Sequence, residues 1–159
     1  MSGLHALEVK EIQRLTDDAV AISFSIPKEL AQPFLFKAGQ YLTLSQTIDG
    51  EEVKRSYSLC SAPYENVLRV GIKAIPNGLF SNYVNKQVMV GDKLNVGTPQ
   101  GRFIYEPNGN NNLLLLAAGS GITPILSIAK TALKKTDGKV VLVYGNRSED
   151  DKMFADELQ

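Results

Sequence analysis

Arg55-Ser56-Tyr57-Ser58-Leu59-Cys60-Ser61 is the stretch whose residue types and spacing could do the most chemistry. It follows an alternating apolar segment and is closed by Ala62-Pro63, the pattern of a strand ending at a turn. Alternation along a strand puts Arg55 and Tyr57 on one face. The planar guanidinium suits bidentate contact with phosphate, and the phenol ring suits stacking on a flat ring. Ser56 and Ser58 flank the ring with short hydroxyls. A phosphate clamp beside a stacking platform suits a ligand that carries both a diphosphate and an aromatic system, such as a flavin nucleotide. The plain alternative is an edge strand with a surface arginine and a half-buried tyrosine. Strict alternation sends Ser58 to the opposite face from Tyr57, so both reach one ligand only if the chain bends there.

Two more stretches have the composition of phosphate sites. In Lys73-Ala74-Ile75-Pro76-Asn77-Gly78-Leu79-Phe80-Ser81, Pro76-Asn77-Gly78 turns the chain and Leu79 to Asn85 can form a short helix. Gly78 lets an anion approach the backbone, the free N–H groups of the first turn would bind it, and Ser81 can cap the turn or contact the same anion. An ordinary turn before a one-turn helix is the competing reading, and Lys73 can equally be a solvated lysine. The other stretch is Gly119-Ser120-Gly121-Ile122-Thr123-Pro124, at a junction that reads as strand to helix. Glycines there expose backbone donors to a pyrophosphate, and Pro124 is comfortable in a first helical turn. Pro124 stands where the G-x-G-x-x-G fingerprint would have its third glycine, so the fingerprint is not met. Downstream, Tyr144-Gly145-Asn146-Arg147-Ser148 ends a strand with no acid for a ribose 2′-hydroxyl. Arg147 and Ser148 suit a 2′-phosphate better, which leans toward NADPH over NADH.

The elements that must position these groups fall into two grammars. Short alternating runs, at Leu4–Leu15, Val20–Ile26, Tyr41–Thr47, Val53–Ser58, Leu68–Lys73 and Lys93–Val96, come without long helices between them. Turn signals at Thr16-Asp17-Asp18, Asp49-Gly50 and Gly91-Asp92 separate them. To about residue 105 this predicts a small antiparallel barrel. After the breaker-rich Glu106–Asn112, the continuous apolar run Leu113–Ala118 suits a buried parallel strand. Ile122–Lys134 has helical character, Lys139–Gly145 reads as another buried strand, and Asp150–Gln159 begins a second helix. Length fits one domain, or one and part of another, at 159 residues. The balance of 17 basic against 17 acidic side chains gives no global pull toward nucleic acid or a membrane surface. No apolar run is long enough to span a membrane, and the first residues lack the pattern of a signal peptide, so a cytoplasmic protein is the default. One cysteine, Cys60, excludes an internal disulfide and a four-cysteine iron–sulfur site within this chain; it reads as a small buried thiol. His5, the one histidine, has no evident partner, and no metal site is expected.

The Arg55–Ser58 run resembles the R-x-Y-S flavin signature of the ferredoxin–NADP reductase superfamily. In the same order, Gly78–Ser81 resembles its G-x-x-S turn, and Gly119–Pro124 its nicotinamide-domain loop. The sequence as a whole is similar to the flavin-containing reductase components that serve bacterial oxygenases, of the phenylacetyl-CoA epoxidase type. The resemblance implies a mainly β fold: a six-stranded antiparallel Greek-key barrel holding FAD over residues 1–107. The incomplete start (strand, helix, strand) of an α/β NAD(P)-binding domain follows over 108–159. It implies that Arg55 holds the diphosphate, that Tyr57 stacks on the flavin, and that Ser58 donates toward the flavin N5. Val70, Ile72, Lys73 and Gly78, Leu79, Phe80 and Ser81 would line the diphosphate and sugar. Gly119, Ser120, Gly121, Ile122, Thr123 and Pro124 would place the nicotinamide, with Thr123 near the flavin as well, and Arg147 would serve the nucleotide's far end.

In the relatives implied, reducing equivalents pass from NADPH or NADH through FAD to an iron–sulfur centre or oxygenase partner. The family's nucleotide domain needs further strands and helices, so the sequence reads as a truncated piece or gene fragment. As such it binds flavin but has little nicotinamide-dependent turnover. Its tail from Leu113 should then pack on the barrel, be poorly ordered, or pair with another chain as a homo-oligomer through the unfinished sheet. Three alternatives stay open: a non-enzymatic flavin-binding or interaction module whose half-domain is a docking surface, a barrel with an empty site, and FMN in place of FAD.

Overall fold

The computed structural model describes residues 3–159. Six strands come first: β1 (Leu4–Thr16), β2 (Ala19–Ser25), β3 (Tyr41–Ile48), β4 (Glu51–Ser58), β5 (Leu68–Lys73) and β6 (Lys93–Gly97). They form one antiparallel sheet in the order β4-β3-β6-β1-β2-β5. Its two ends meet just past β4, where Leu59 bridges Val70 and the Cys60 N–H donates to the Arg69 carbonyl at 2.8 Å. That contact closes the sheet into a barrel and protects edges that would otherwise stay open. The Asp49-Gly50 signal makes the tight hairpin expected of it, with both residues left-handed at φ 51° and 84°. Helix α1 (Leu79–Lys86) lies between β5 and β6 and buries Phe80 and Val84. Its last turn is held by Arg14, whose guanidinium donates to the Asn85 side-chain and backbone oxygens at 3.0 and 2.9 Å.

Alternation decides what fills the barrel. Val20, Ile22 and Phe24 face inward with Leu42, Leu44, Leu68, Val70, Ile72 and Leu94. Yet β2 is buried on both faces, because Ala19 and Ala21 lie under the second part of the chain. Small side chains there let a helix come close. That helix is α2 (Ile122–Lys135), between the parallel strands β7 (Leu113–Ala118) and β8 (Val140–Gly145). It sets Ile122, Ile125, Leu126 and Ala129 against Ala19, Ala21, Cys60 and Leu115 in a second core. The tail thus packs on the barrel, the first of the fates expected for it. Ser127, fully buried in α2, donates to the Ser61 carbonyl at 2.6 Å. Ser127→Ala leaves that buried carbonyl short of a donor at a cost of about 1–3 kcal/mol, expected as a lower urea midpoint at unchanged slope.

Two sequence expectations are corrected here. Leu113–Ala118 and Lys139–Gly145 read as buried strands, but α2 covers one face only. Leu114, Leu116, Val141 and Val143 are therefore exposed on the other. Asp150–Gln159 does not begin an α-helix; it turns and ends in a 3₁₀ turn, Ala155–Leu158. Met153 and Phe154 are drawn into the second core, and Phe154 adopts a left-handed φ of 60°, which interrupts helical winding.

Candidate functional site

A cleft of about 650 Å³ opens where the barrel meets the second part of the chain. One wall is the end of β4, with Arg55, Ser56, Tyr57 and Ser58; the floor is Gly71 and Lys73 of β5. The turn Ile75–Gly78 and the first residues of α1, Leu79–Ser81, form the second wall, and Ser120, Gly121, Thr123 and Pro124 form the third. The three stretches singled out in the sequence thus share one cleft. Tyr57 and Ser58 both line the cleft where β4 ends; the next N–H, of Leu59, donates to the Gln40 carbonyl at 2.9 Å, continuing the pairing with β3, and Leu59 bridges Val70 of β5.

Arg55 is exposed, and among the described residues no carboxylate pairs with it; its guanidinium donates only to the Lys54 carbonyl, at 2.7 Å. A cation left this way at a cleft wall is available to an anionic ligand. Tyr57 is half-buried and backed by Phe80, ring centroids 5.8 Å apart and planes 31° apart. Burial pushes its phenol up to about 12 against the opposing pull of Arg55. The ring therefore stays a neutral stacking face well above the pH where a free tyrosine ionises. At the start of α1 the N–H groups of Leu79, Phe80 and Ser81 meet no acceptor among the described residues, as first-turn donors do. The Ser81 hydroxyl does not add to these donors: it accepts from the Ile75 N–H and donates to the Gly78 carbonyl, both at 3.3 Å, so it builds the turn.

Lys73 lines the cleft but is committed to two carboxylates, Asp151 at 3.0 Å and Asp18 at 3.4 Å. Partial burial lowers its pKa, and those acids more than restore it, leaving it above the ordinary lysine value. Thr123 is buried, with its hydroxyl donating to the Ser120 carbonyl at 3.1 Å and its methyl toward Gly71. Several expected residues fall elsewhere. Val70 and Ile72 point into the barrel core, as inward positions of β5 must, and Ile122 is fully buried in the second core. Gly119, left-handed at φ 50°, stands just outside the cleft and accepts from the Tyr144 hydroxyl at 3.0 Å. Arg147 lies past the end of β8 in a separate hollow of about 490 Å³ with Ser148, Glu149 and Lys152. Ser148 there donates to Asp151 at 3.1 Å.

Gly71 and the Ile75–Asn77 turn were missed as lining residues. Gly71 carried a legible signal: a glycine inside a strand marks a close approach. A Cβ at that position would stand 2.7 Å from the Thr123 methyl and 3.0 Å from the Phe154 ring. His5 is less isolated than expected, since its ring meets Phe34 edge-on at 5.5 Å. Cys60 is fully buried, its thiol pushed up to about 12 chiefly by that burial. Folded protein should therefore resist a thiol reagent at mildly alkaline pH and react promptly once unfolded in urea; equal rates would contradict the buried assignment. Among the described residues, no group of three or more His, Cys, Asp or Glu is placed to hold a metal ion. Among the same residues, no helix is long and apolar enough to cross a membrane.

An unpaired guanidinium, three free N–H groups and a supported aromatic face converge on a cleft of ligand size, an arrangement that fits a flavin nucleotide. Residues 6–105 match the family described as Oxidoreductase FAD-binding domain. The chain belongs to that family. Residues 115–159 match a second, Oxidoreductase NAD-binding domain. At 40% identity, 99% of the chain aligns with 45% of a component of the 1,2-phenylacetyl-CoA epoxidase of Escherichia coli. At 40% identity, 96% aligns with 44% of the 3-ketosteroid-9-alpha-monooxygenase ferredoxin reductase component of Rhodococcus rhodochrous. The chain thus spans about half the length of these curated relatives. The solved flavohem-like FAD/NAD-binding domain of the nitric oxide dioxygenase of Vibrio cholerae superposes with a TM-score of 0.86 at 26% identity, over 99% of this chain and 68% of that one. The barrel and the strand–helix–strand that follows are a fold of the ferredoxin–NADP reductase type.

Proposed function

We propose that this chain is the flavin-holding part of an NAD(P)H-dependent reductase that passes electrons through FAD to an iron–sulfur or oxygenase partner. The barrel unit would occupy residues 1–107 and the nucleotide unit would begin at 108. The observation that carries this reading is the single cleft shared by Arg55–Ser58, the start of α1 and the turn before α2. Bound FAD would supply two-electron acceptance from a nicotinamide and one-electron delivery onward.

The chain's own residues do the holding. Arg55 and the Leu79–Ser81 N–H groups would take the diphosphate. Tyr57 would stack on the flavin ring, and Ser56 and Ser58 would offer hydroxyls at its edge. Ser120, Gly121, Thr123 and Pro124 would form the surface on which a nicotinamide meets that ring, with Arg147 toward the far end of NADPH. A cytoplasmic location belongs to the same reading.

The test is anaerobic addition of NADPH, and separately NADH, to the FAD-loaded chain while the visible flavin band is followed. Bleaching, faster with NADPH, supports the reading. The exposed apolar face formed by Leu114, Leu116, Val141 and Val143 favours a second one, a flavin-binding interaction module that docks through this face. A flavin band that ignores both nucleotides favours that module.

A further inference from the structure

β5 presents three outward positions, Arg69, Gly71 and Lys73, between the inward Val70 and Ile72. All three meet one segment, residues 151–157, which runs past β5 in the opposite direction. Lys73 pairs with Asp151 at 3.0 Å. Gly71 lies beneath Met153 and Phe154, where any side chain would press on both. Arg69 sits 5.3 Å from the Phe154 ring centroid and pairs with Glu157 at 2.8 Å, while its other nitrogen donates to Gln13. Cation, gap and cation on the strand thus face anion, apolar pair and anion on the segment.

Glu157 is also bonded by Lys130 of α2 at 2.8 Å, and Lys130 reaches Glu65 of the barrel at 3.2 Å. Isolated surface pairs are worth little, but the Arg69–Glu157 side chains are only 16% and 24% exposed and belong to a network. The carboxyl of Glu157 is held below the usual glutamate range: burial opposes this, and the Lys130 and Arg69 bonds override it. Phe154 holds a left-handed φ, which a bulky residue keeps only where its surroundings fix it.

We infer that the outward face of β5 is a charge-matched seat for residues 151–157, and that Arg69, Asp151 and Glu157 are positioning residues. Through Met153 and Phe154, which share Gly71 with Thr123, the seat fixes the turn before α2 at a set distance from the Tyr57 strand. The consequence for flavin rests on the function proposed above; the seat itself does not.

The experiment is hydrogen exchange on the full chain carrying Asp151→Asn and Glu157→Gln, residues outside the cleft. Exchange over 122–135 and 140–145 is expected to rise about tenfold while β1 and β2 keep their protection. Added salt should speed exchange there in the wild type and much less in the variant. Gly71→Val, which keeps every charge, should loosen the same residues by steric displacement. Unchanged exchange in the charge variant, or an equal rise in the barrel, overturns the inference. With FAD bound, the visible flavin maxima should move toward those of free FAD in the charge variant at unchanged FAD affinity; maxima identical to the wild type overturn the positioning role. A wild type that takes up no FAD defeats the flavin reading instead, and the exchange result still decides the seat.

Discussion

Arg55→Ala is expected to weaken FAD binding about 10- to 150-fold, the equivalent of the 1.5–3 kcal/mol that a hydrogen bond to a charged group contributes. Arg55 has no acid partner among the described residues, so its removal orphans nothing in the protein, and the loss falls on the ligand. Stability should stay within the small range of surface substitutions. A flavin-fluorescence titration checks this, with riboflavin as the control. Riboflavin has no phosphate, so its affinity should be the same in both proteins. Arg55→Lys should recover part of the loss as a point charge without the fork. If Arg55→Ala binds FAD as tightly as the wild type, the guanidinium does not hold the diphosphate.

Phe80→Ala is expected to have the largest effect on stability and a second effect on the site. Phe80 is 1% exposed, in the barrel core, on the first turn of α1 and against Tyr57. Truncating such a ring costs about 3–5 kcal/mol, a large share of the 5–15 kcal/mol that holds a typical domain together. Because the same ring backs Tyr57 and anchors the turn carrying the free N–H groups, FAD affinity should fall as well. Tyr57→Phe gives the contrast: the stacking face is kept and only the hydroxyl goes, so both stability and FAD affinity should stay near wild type. Urea unfolding with and without FAD measures both quantities. Loss of stability with unchanged affinity, at concentrations where Phe80→Ala is folded, would mean that Tyr57 is not supported as described.

Much of this molecule is legible in the local chemistry of its sequence. Asp49-Gly50 demands left-handed backbone and found it, and the alternation of Val20, Ile22 and Phe24 marked the barrel face. The three chemistry-bearing stretches were legible for the same reason, since glycine turns and an Arg-x-Tyr strand are local patterns. What stayed hidden was set by contacts between distant elements. Lys73 looks the same in sequence whether it meets a phosphate or two carboxylates, and Asp18 and Asp151 lie far from it along the chain. Val70 and Ile72 belong to the right strand but its inward face, a distinction of register. The half-bare faces of β7 and β8 could not be read from residues that are apolar throughout. The winding of 150–159 was decided by burial of Met153 and Phe154 against Gly71, which overrode local helix preference.

The claim on which everything else depends is that the cleft binds FAD through its own residues. It is tested most directly by titrating the purified chain with FAD, removing free flavin by gel filtration, and recording the visible spectrum. The account predicts a flavin band that stays with the protein at close to one FAD per chain, with shifted maxima and quenched fluorescence as the ring leaves water for Tyr57. Protein that emerges colourless after incubation with excess FAD would contradict the assignments of Arg55, Tyr57 and the α1 turn together.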